Sequence, residues 1–265
     1  MKKSVTLLFA VAASSSFAQV IYSTGFEAPT YTGSAGAGTS INAQDGWAAT
    51  TSAFATTTTP FTVSTNQANG GTQSAYIDTS PLATSQYAVR SVGAINSGVL
   101  SISSDLFIGP RVNTADPDGS SGYSLVVSTT VLGAETRLAQ FLIYRPDSTF
   151  PEEVDLGTRS GGAFGFLTQS APVFVYPQSQ WNRVRLDLDF GTNTASAYIN
   201  NNLILTRAFD PGLSTTRVGI GGTSDGFDVG YFDNFQAAIT PVPEPATLAV
   251  LGLGAAAMIR RRRSK

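Results

Sequence analysis

The chain has 265 residues, 42% hydrophobic and only 13% charged, with 26 Gly, 13 Pro and neither Cys nor His. The missing residue types exclude disulfide scaffolds, thiolate or imidazole metal sites, and Ser-His-Asp or Cys-His catalysis. All lysines and Arg260 to Arg263 lie at the two ends, so between Gln19 and Thr240 nine arginines meet seventeen acids, a net charge of -8 that argues against nucleic acid as a partner.

The first predicted element is an address. Lys2 and Lys3 precede the apolar run Val5 to Ala13, and Ser14 to Ala18 follow, with Ser16 and Ala18 in the small positions of a cleavage site. A basic start, about 7–15 apolar residues and a small-x-small site make a secretory signal peptide. Residues 1–18 are therefore expected to engage the general secretion machinery and to be removed by signal peptidase between Ala18 and Gln19. The lack of disulfides is compatible with export, because oxidation permits bridges without requiring them.

Residues 19–239 read as short strands punctuated by Gly, Pro, Asn and Asp. Val20 to Phe26 comes first. Ala28 to Thr59 is rich in Gly, Ser, Ala and Thr and reads as a long loop or loosely packed edge, with Trp47 and Phe54 available to dock. Strand candidates then follow at Phe61 to Thr65, Ala75 to Asp78, Gln86 to Val92, Val99 to Ile108, Tyr123 to Thr130, Arg137 to Tyr144 and Ala163 to Thr168. The clearest is Trp181 to Phe190. There Val184, Leu186, Leu188 and Phe190 alternate with Arg183, Arg185, Asp187 and Asp189, a period of two with one wet face. Asn-rich turns lead to Ala195 to Ile199 and Leu203 to Thr206, and Arg217 to Gly221 and Gly230 to Ala237 close the series. With no amphipathic helix between them and no fixed internal period, these strands predict an all-β antiparallel sandwich, large enough to bury a core unaided.

Residues 240–265 form a second address. Pro241, Pro243 and Pro245 hold the chain extended, Ala246 to Ile259 carries no charge, and Arg260 to Arg263 follow. Fourteen helical residues reach about 21 Å, short of a full span, and the arginines keep their side of the segment cytoplasmic. Val-Pro-Glu-Pro-Ala-Thr, a short apolar helix and a terminal Arg cluster resemble a PEP-CTERM sorting signal, with Pro243, Glu244 and Pro245 as the motif and Arg260, Arg261, Arg262 and Arg263 as the membrane stop. The resemblance implies an exosortase-type processing enzyme as partner, an inner-membrane intermediate held by the short helix, and delivery to the surface or extracellular matrix of a Gram-negative bacterium.

Three stretches carry a second resemblance. Thr24-Gly-Phe-Glu27 leads to Gln44-Asp-Gly-Trp47, Trp181 to Asp189 precedes Ala197-Tyr-Ile-Asn-Asn201, and Tyr231-Phe-Asp-Asn-Phe235 closes the body. In these the body resembles the concanavalin A-like, laminin-G-like jelly rolls, which implies two packed sheets and a glycan-facing surface.

Residues for chemistry are sparse. Glu152, Glu153 and Asp155 form the densest acidic cluster, but adjacent Glu152 and Glu153 point to opposite faces of any strand, and Pro146 and Pro151 mark a solvated loop. Glu135 stands without an acidic partner and reads as a surface residue. Asp116 and Asp118, in Asn113-Thr-Ala-Asp-Pro-Asp-Gly119, offer hard oxygen ligands and are the candidate calcium site, although an Asp-Gly turn uses the same residues; Asp225, Asp228 and Asp233 form a second oxygen-rich group. Tyr22, Tyr31, Trp47, Tyr76, Tyr87, Tyr123, Tyr144, Tyr176 and Trp181 are the aromatics available to stack on sugars, a role that competes with core packing. Gly219-Ile-Gly-Gly222 has neither the Lys nor the following helix of a nucleotide site. These readings favour a non-catalytic exported protein that associates with extracellular polysaccharide, with no required cofactor. The alternatives are a carbohydrate-active enzyme of the same fold and a purely structural or adhesive protein.

Overall fold

A computed structural model describes residues 17–36, 38–51, 53–54, 61–79, 85–109, 121–145, 153–170, 179–223 and 229–241. In chain order the strands are β1 (Gln19–Thr24), β2 (Thr39–Ser40), β3 (Trp47–Thr51), β4 (Phe61–Ser64), β5 (Ser74–Asp78), β6 (Gln86–Ser91), β7 (Val99–Ile108) and β8 (Gly122–Val131). They continue with β9 (Ala134–Tyr144), β10 (Glu153–Ser160), β11 (Ala163–Ser170), β12 (Trp181–Asp189), β13 (Thr194–Ile199), β14 (Asn202–Ala208), β15 (Arg217–Thr223) and β16 (Val229–Thr240). One 3-10 turn, Gln44–Gly46, precedes β3.

The strands form an antiparallel sandwich of jelly-roll type. One sheet has nine strands in the order β14-β13-β12-β7-β16-β5-β4-β2, with β1 also on β16. The other has seven, β11-β10-β9-β8-β15-β6-β3. Last in sequence, β16 is nonetheless central in its sheet. It pairs with β7 along one side and with β5 and then β1 along the other. Alternation decides which side chains enter the core. In β12, Val184, Leu186 and Leu188 are buried while Arg183, Arg185, Asp187 and Asp189 face out, and β7 buries Leu100, Ile102, Leu106 and Ile108 on the same inner side. Phe61, Phe141, Phe232 and Phe235 are fully buried between the sheets, each contributing about 1.5–3 kcal/mol of transfer free energy. Glycine in β15 serves contact rather than ligand binding: a Cβ on Gly221 would lie 2.5 Å from both Tyr87 and Ser124, so only glycine lets those side chains close over the strand.

Two expectations are corrected. Glu153 to Asp155 are not in a loop but open β10, where Val154 and Leu156 face the core. The acidic residues and neighbouring prolines had hidden a period-two strand. Glu135 is not a lone surface residue: Arg217 grips it with Nε donating at 2.7 Å, and Ser128 donates to the same carboxylate. The low-complexity stretch contributes β2 and β3, both at sheet edges. Within it Trp47 is buried and Phe54 stacks on Tyr87 at 5.6 Å between ring centres.

The signal-peptide residues up to Ser16, the sorting motif Pro243 to Pro245, the helix expected over Ala246 to Ile259 and Arg260 to Arg263 lie outside the described residues. So do Asp116, Asp118, Glu152, Tyr176, Asp225 and Asp228. Among the described residues no helix is long and apolar enough to cross a membrane.

Candidate functional site

The outer face of the nine-stranded sheet is laid out in rows by strand register. The first row is aromatic. Trp181 of β12 stands opposite Phe107 of β7, Phe107 opposite Tyr231 of β16, and Tyr231 opposite Tyr76 of β5. Their ring centres are 5.5, 6.1 and 5.2 Å apart in that order. With strands about 4.8 Å apart, the four rings span about 15 Å. Tyr76, Phe107 and Trp181 are half-buried, so part of each ring reaches solvent, whereas Tyr231 is largely covered. Burial, reinforced by Asp78, pushes the Tyr76 phenol up to about 12, and burial raises Tyr231 as well, so both rings carry neutral hydroxyls.

Two residues along lies a charged row. Arg183 faces Asp105, and Asp105 faces Asp233. Arg183 donates to Asp105 at 3.1 Å and to Ser103 at 2.7 Å, and the second Asp105 oxygen accepts from Asn69 at 2.9 Å and Asn234 at 2.8 Å. Asp233 accepts the backbone N–H groups of Asn69 and Asn234, both at 2.7 Å. A bulge in β16 makes this arrangement: Asn234 takes the left-handed φ of 49° and its amide turns outward toward Asn69 and Asp105. Burial, with Glu27 and Asp105 nearby, pushes the Asp233 carboxyl up to about 6 against the two N–H groups that hold it down.

Further along the same face, Val99, Asp187, Asp189, Thr194, Ser196 and Tyr198 line an open groove of about 420 Å³. Ser101 donates to Asp187 at 2.6 Å and Arg185 pairs with its other oxygen at 3.2 Å, while Asp189 accepts the N–H groups of Gly191 and Thr192. Burial raises the Asp187 carboxyl despite Ser101 and Arg185.

The seven-stranded sheet carries a second, less open outer network. Arg137 lies 4.2 Å from the centre of the Phe164 ring and donates to Gln140 at 3.0 Å, and Gln140 donates to Ser124 at 3.1 Å. Asp155 accepts from Thr168 at 2.5 Å and from Tyr144 at 3.3 Å. Gln140, Ser124, Tyr87 and Asp155 are all buried, whereas Phe166 stays 41% exposed.

The carboxylates of these networks are thus held by partners. Asp105, Asp155, Asp187 and Asp233 have both oxygens engaged, and Glu27 is bound by Thr72 and by the Gln73 backbone. Among the described residues no group of three or more acids is arranged to hold a metal ion. Of the aromatics expected to stack on sugars, Tyr31, Trp47, Tyr87 and Tyr123 are core residues. Tyr76 and Trp181 belong to the open row. Phe107 and Tyr231 complete that row and were missed, because their meeting depends on register across four strands rather than on any local pattern.

The family model of the PEP-CTERM protein-sorting motif matches residues 241–263. The chain is therefore an exported protein addressed to an exosortase-type system of the cell envelope. No curated protein matches it in sequence. In fold it is similar to the carbohydrate esterase of the Shiga toxin-encoding bacteriophage phi24B, at 10% identity and TM-score 0.52 over 84% of this chain and 100% of that one. It is also similar to the cellulose-induced protein Cip1, at 13% identity and TM-score 0.52 over 84% of this chain and 99% of that one. The β-glucanase of Bacillus licheniformis aligns at 10% identity and TM-score 0.48 over 82% and 97%.

Proposed function

We propose that this is a non-catalytic surface or matrix protein of a Gram-negative bacterium, cleaved near Pro243, Glu244 and Pro245, whose sandwich holds extracellular polysaccharide on the outer face of its nine-stranded sheet. Arg260 to Arg263 act as the cytoplasmic stop until that cleavage. The observation that carries the binding reading is the row Trp181-Phe107-Tyr231-Tyr76. Ring faces pack on the C–H faces of sugars, and a row about 15 Å long matches a few successive units of a chain. The engagement of Asp105, Asp155 and Asp233 on both oxygens supports a non-catalytic role, since a general acid or base needs an oxygen free to reach the substrate.

The chain has two tryptophans, and Trp47 is 1% exposed, so a change in tryptophan emission on adding polysaccharide reports on Trp181. The full chain in detergent, titrated with bacterial exopolysaccharides, is expected to change its emission, and Trp181→Phe to lose that change. No spectral change and no retention on any polysaccharide would end the binding reading.

A carbohydrate-active enzyme is the second reading. In its favour, Asp187 and Asp189 line one groove from one strand, and burial raises Asp187 as it would a general acid. New reducing ends released from polysaccharide, and not released by Asp187→Asn, would put it first.

A further inference from the structure

We propose that, while the tail is attached, the sandwich stands on the bilayer surface with the exit end of β16 down, touching lipid through Leu132 at the tip of the β8–β9 hairpin. This rests on the reading that Ala246 to Ile259 enters the membrane.

Chain length limits how far the body can stand away. β16 ends at Thr240 opposite Val99. From Thr240 to Ala246 the chain can extend no more than about 20 Å. The β16 exit end must therefore lie within that distance of the first apolar residue.

Strand register fixes what else is at this end. Val99 also faces Asp189, so the β12–β13 turn is there. In the other sheet the start of β15 faces both the end of β6 and the second half of β8, with Arg217 opposite Ser91 and Val218 opposite Val127. Thr215 donates to the Ile95 carbonyl at 2.9 Å, joining the two loops that connect the sheets on this side. Beyond Val127, the last residue of β8 paired with β15, β8 and β9 continue to the pair Val131–Ala134, about 13 Å further, with Arg217 of β15 reaching Glu135 along the way. The hairpin tip projects into the gap between body and bilayer.

Leu132 is an unexpected residue for that tip. It is 102% exposed, and its φ of 52°, followed by 81° at Gly133, makes a two-residue turn of the kind that favours Asn-Gly. A fully exposed leucine in left-handed backbone carries two costs at one position. A lipid surface below the tip removes the first. Around it, exposed Thr130, Gly133 and Ala134 are uncharged, and behind it Glu135 is neutralised by Arg217. Val20, 51% exposed on β1 and paired with Ala238, adds a second apolar side chain near the same exit.

The chain contains no cysteine, so single labels need no background removal. The uncleaved protein would be reconstituted into phosphatidylethanolamine–phosphatidylglycerol vesicles with an NBD label at Leu132→Cys or, as control, at Gln180→Cys. Gln180 is exposed beside Trp181, about 30 Å along the chain from Asp189. A lipid-borne headgroup quencher is expected to quench the label at 132 several-fold more than the label at 180, and proteolytic release of the tail to abolish the difference. Protein that floats with the vesicles but shows equal quenching at both positions would overturn the orientation and leave membrane anchoring standing, with the processing enzyme as the remaining partner for the tip. Protein that does not float would overturn both.

Discussion

The indole Nε1 of Trp47 donates to the phenolic oxygen of Tyr31 at 2.8 Å, inside the aromatic packing of Phe26 and Phe235. Tyr22 lies 2.7 Å from the same oxygen and donates to Asp45 at 2.8 Å. Arg90 closes the group, 3.3 Å from Asp45 and 4.0 Å from the centre of the Tyr22 ring. Burial raises both phenols above their ordinary value, so they remain neutral partners for the indole and the carboxylate. The group joins β1 on one sheet to β3 and β6 on the other.

Trp47→Ala should therefore cost about 3–5 kcal/mol, as expected for a large buried aromatic. Asp45→Ala removes an acceptor and an ion-pair partner and should cost about 1–3 kcal/mol. Urea unfolding checks both. A Trp47→Ala protein unfolding at the wild-type midpoint would show that the clamp is not structural.

The pH dependence follows from Asp233. Its folded carboxyl, at about 6, binds a proton more tightly than the ordinary value of 3.8, so the fold is penalised when the group ionises. Stability should fall as pH rises from about 4 to above 6, and burial of Asp187 acts in the same direction. The full shift corresponds to about 3 kcal/mol, and solvent screening reduces it to about 1 kcal/mol. Thermal unfolding between pH 4.5 and 7.5 reads the slope, which Asp233→Asn should flatten. A wild-type melting temperature that climbs with pH in this window would contradict the assignment.

On the aromatic row, Trp181→Ala and Tyr76→Ala should each weaken polysaccharide binding by about 5- to 30-fold, the range of 1–2 kcal/mol at an aromatic anchor. Phe164→Ala, on the other sheet, should leave affinity unchanged. Affinity electrophoresis of the three variants compares them directly, and a loss confined to Phe164→Ala would move the binding face to the seven-stranded sheet.

Leu132→Asn should stabilise the body by about 0.5–1 kcal/mol, because asparagine accepts the left-handed φ that leucine resists, and removes an exposed apolar side chain. Denaturant titration measures it. A destabilised variant would mean that Leu132 makes packing contacts on the body.

The sequence made legible what depends on neighbours along the chain. Val99 to Ile108 is read with the bounds of β7, and the wet and dry faces of β12 follow from its alternation alone. β3 escaped notice because Trp47-Ala-Ala-Thr-Thr51 alternates in size hardly at all, and its place is set by docking on β6. β10 was hidden by charge, although Val154 and Leu156 kept the period. For the candidate site, Trp181 and Tyr76 were visible as single aromatics. Their joining through Phe107 and Tyr231 was not, since register between strands 50 or more residues apart leaves no local trace.

The position of β16 ties assembly to delivery. During export the body emerges from its N-terminal side, so β1, β5 and β7 arrive first and flank an unfilled slot. Only residues 229–240 fill it, and the matched sorting segment begins at the very next residue. A partly exported body thus has neither a closed sheet nor a readable address, and the segment that supplies the second follows directly on the strand that completes the first.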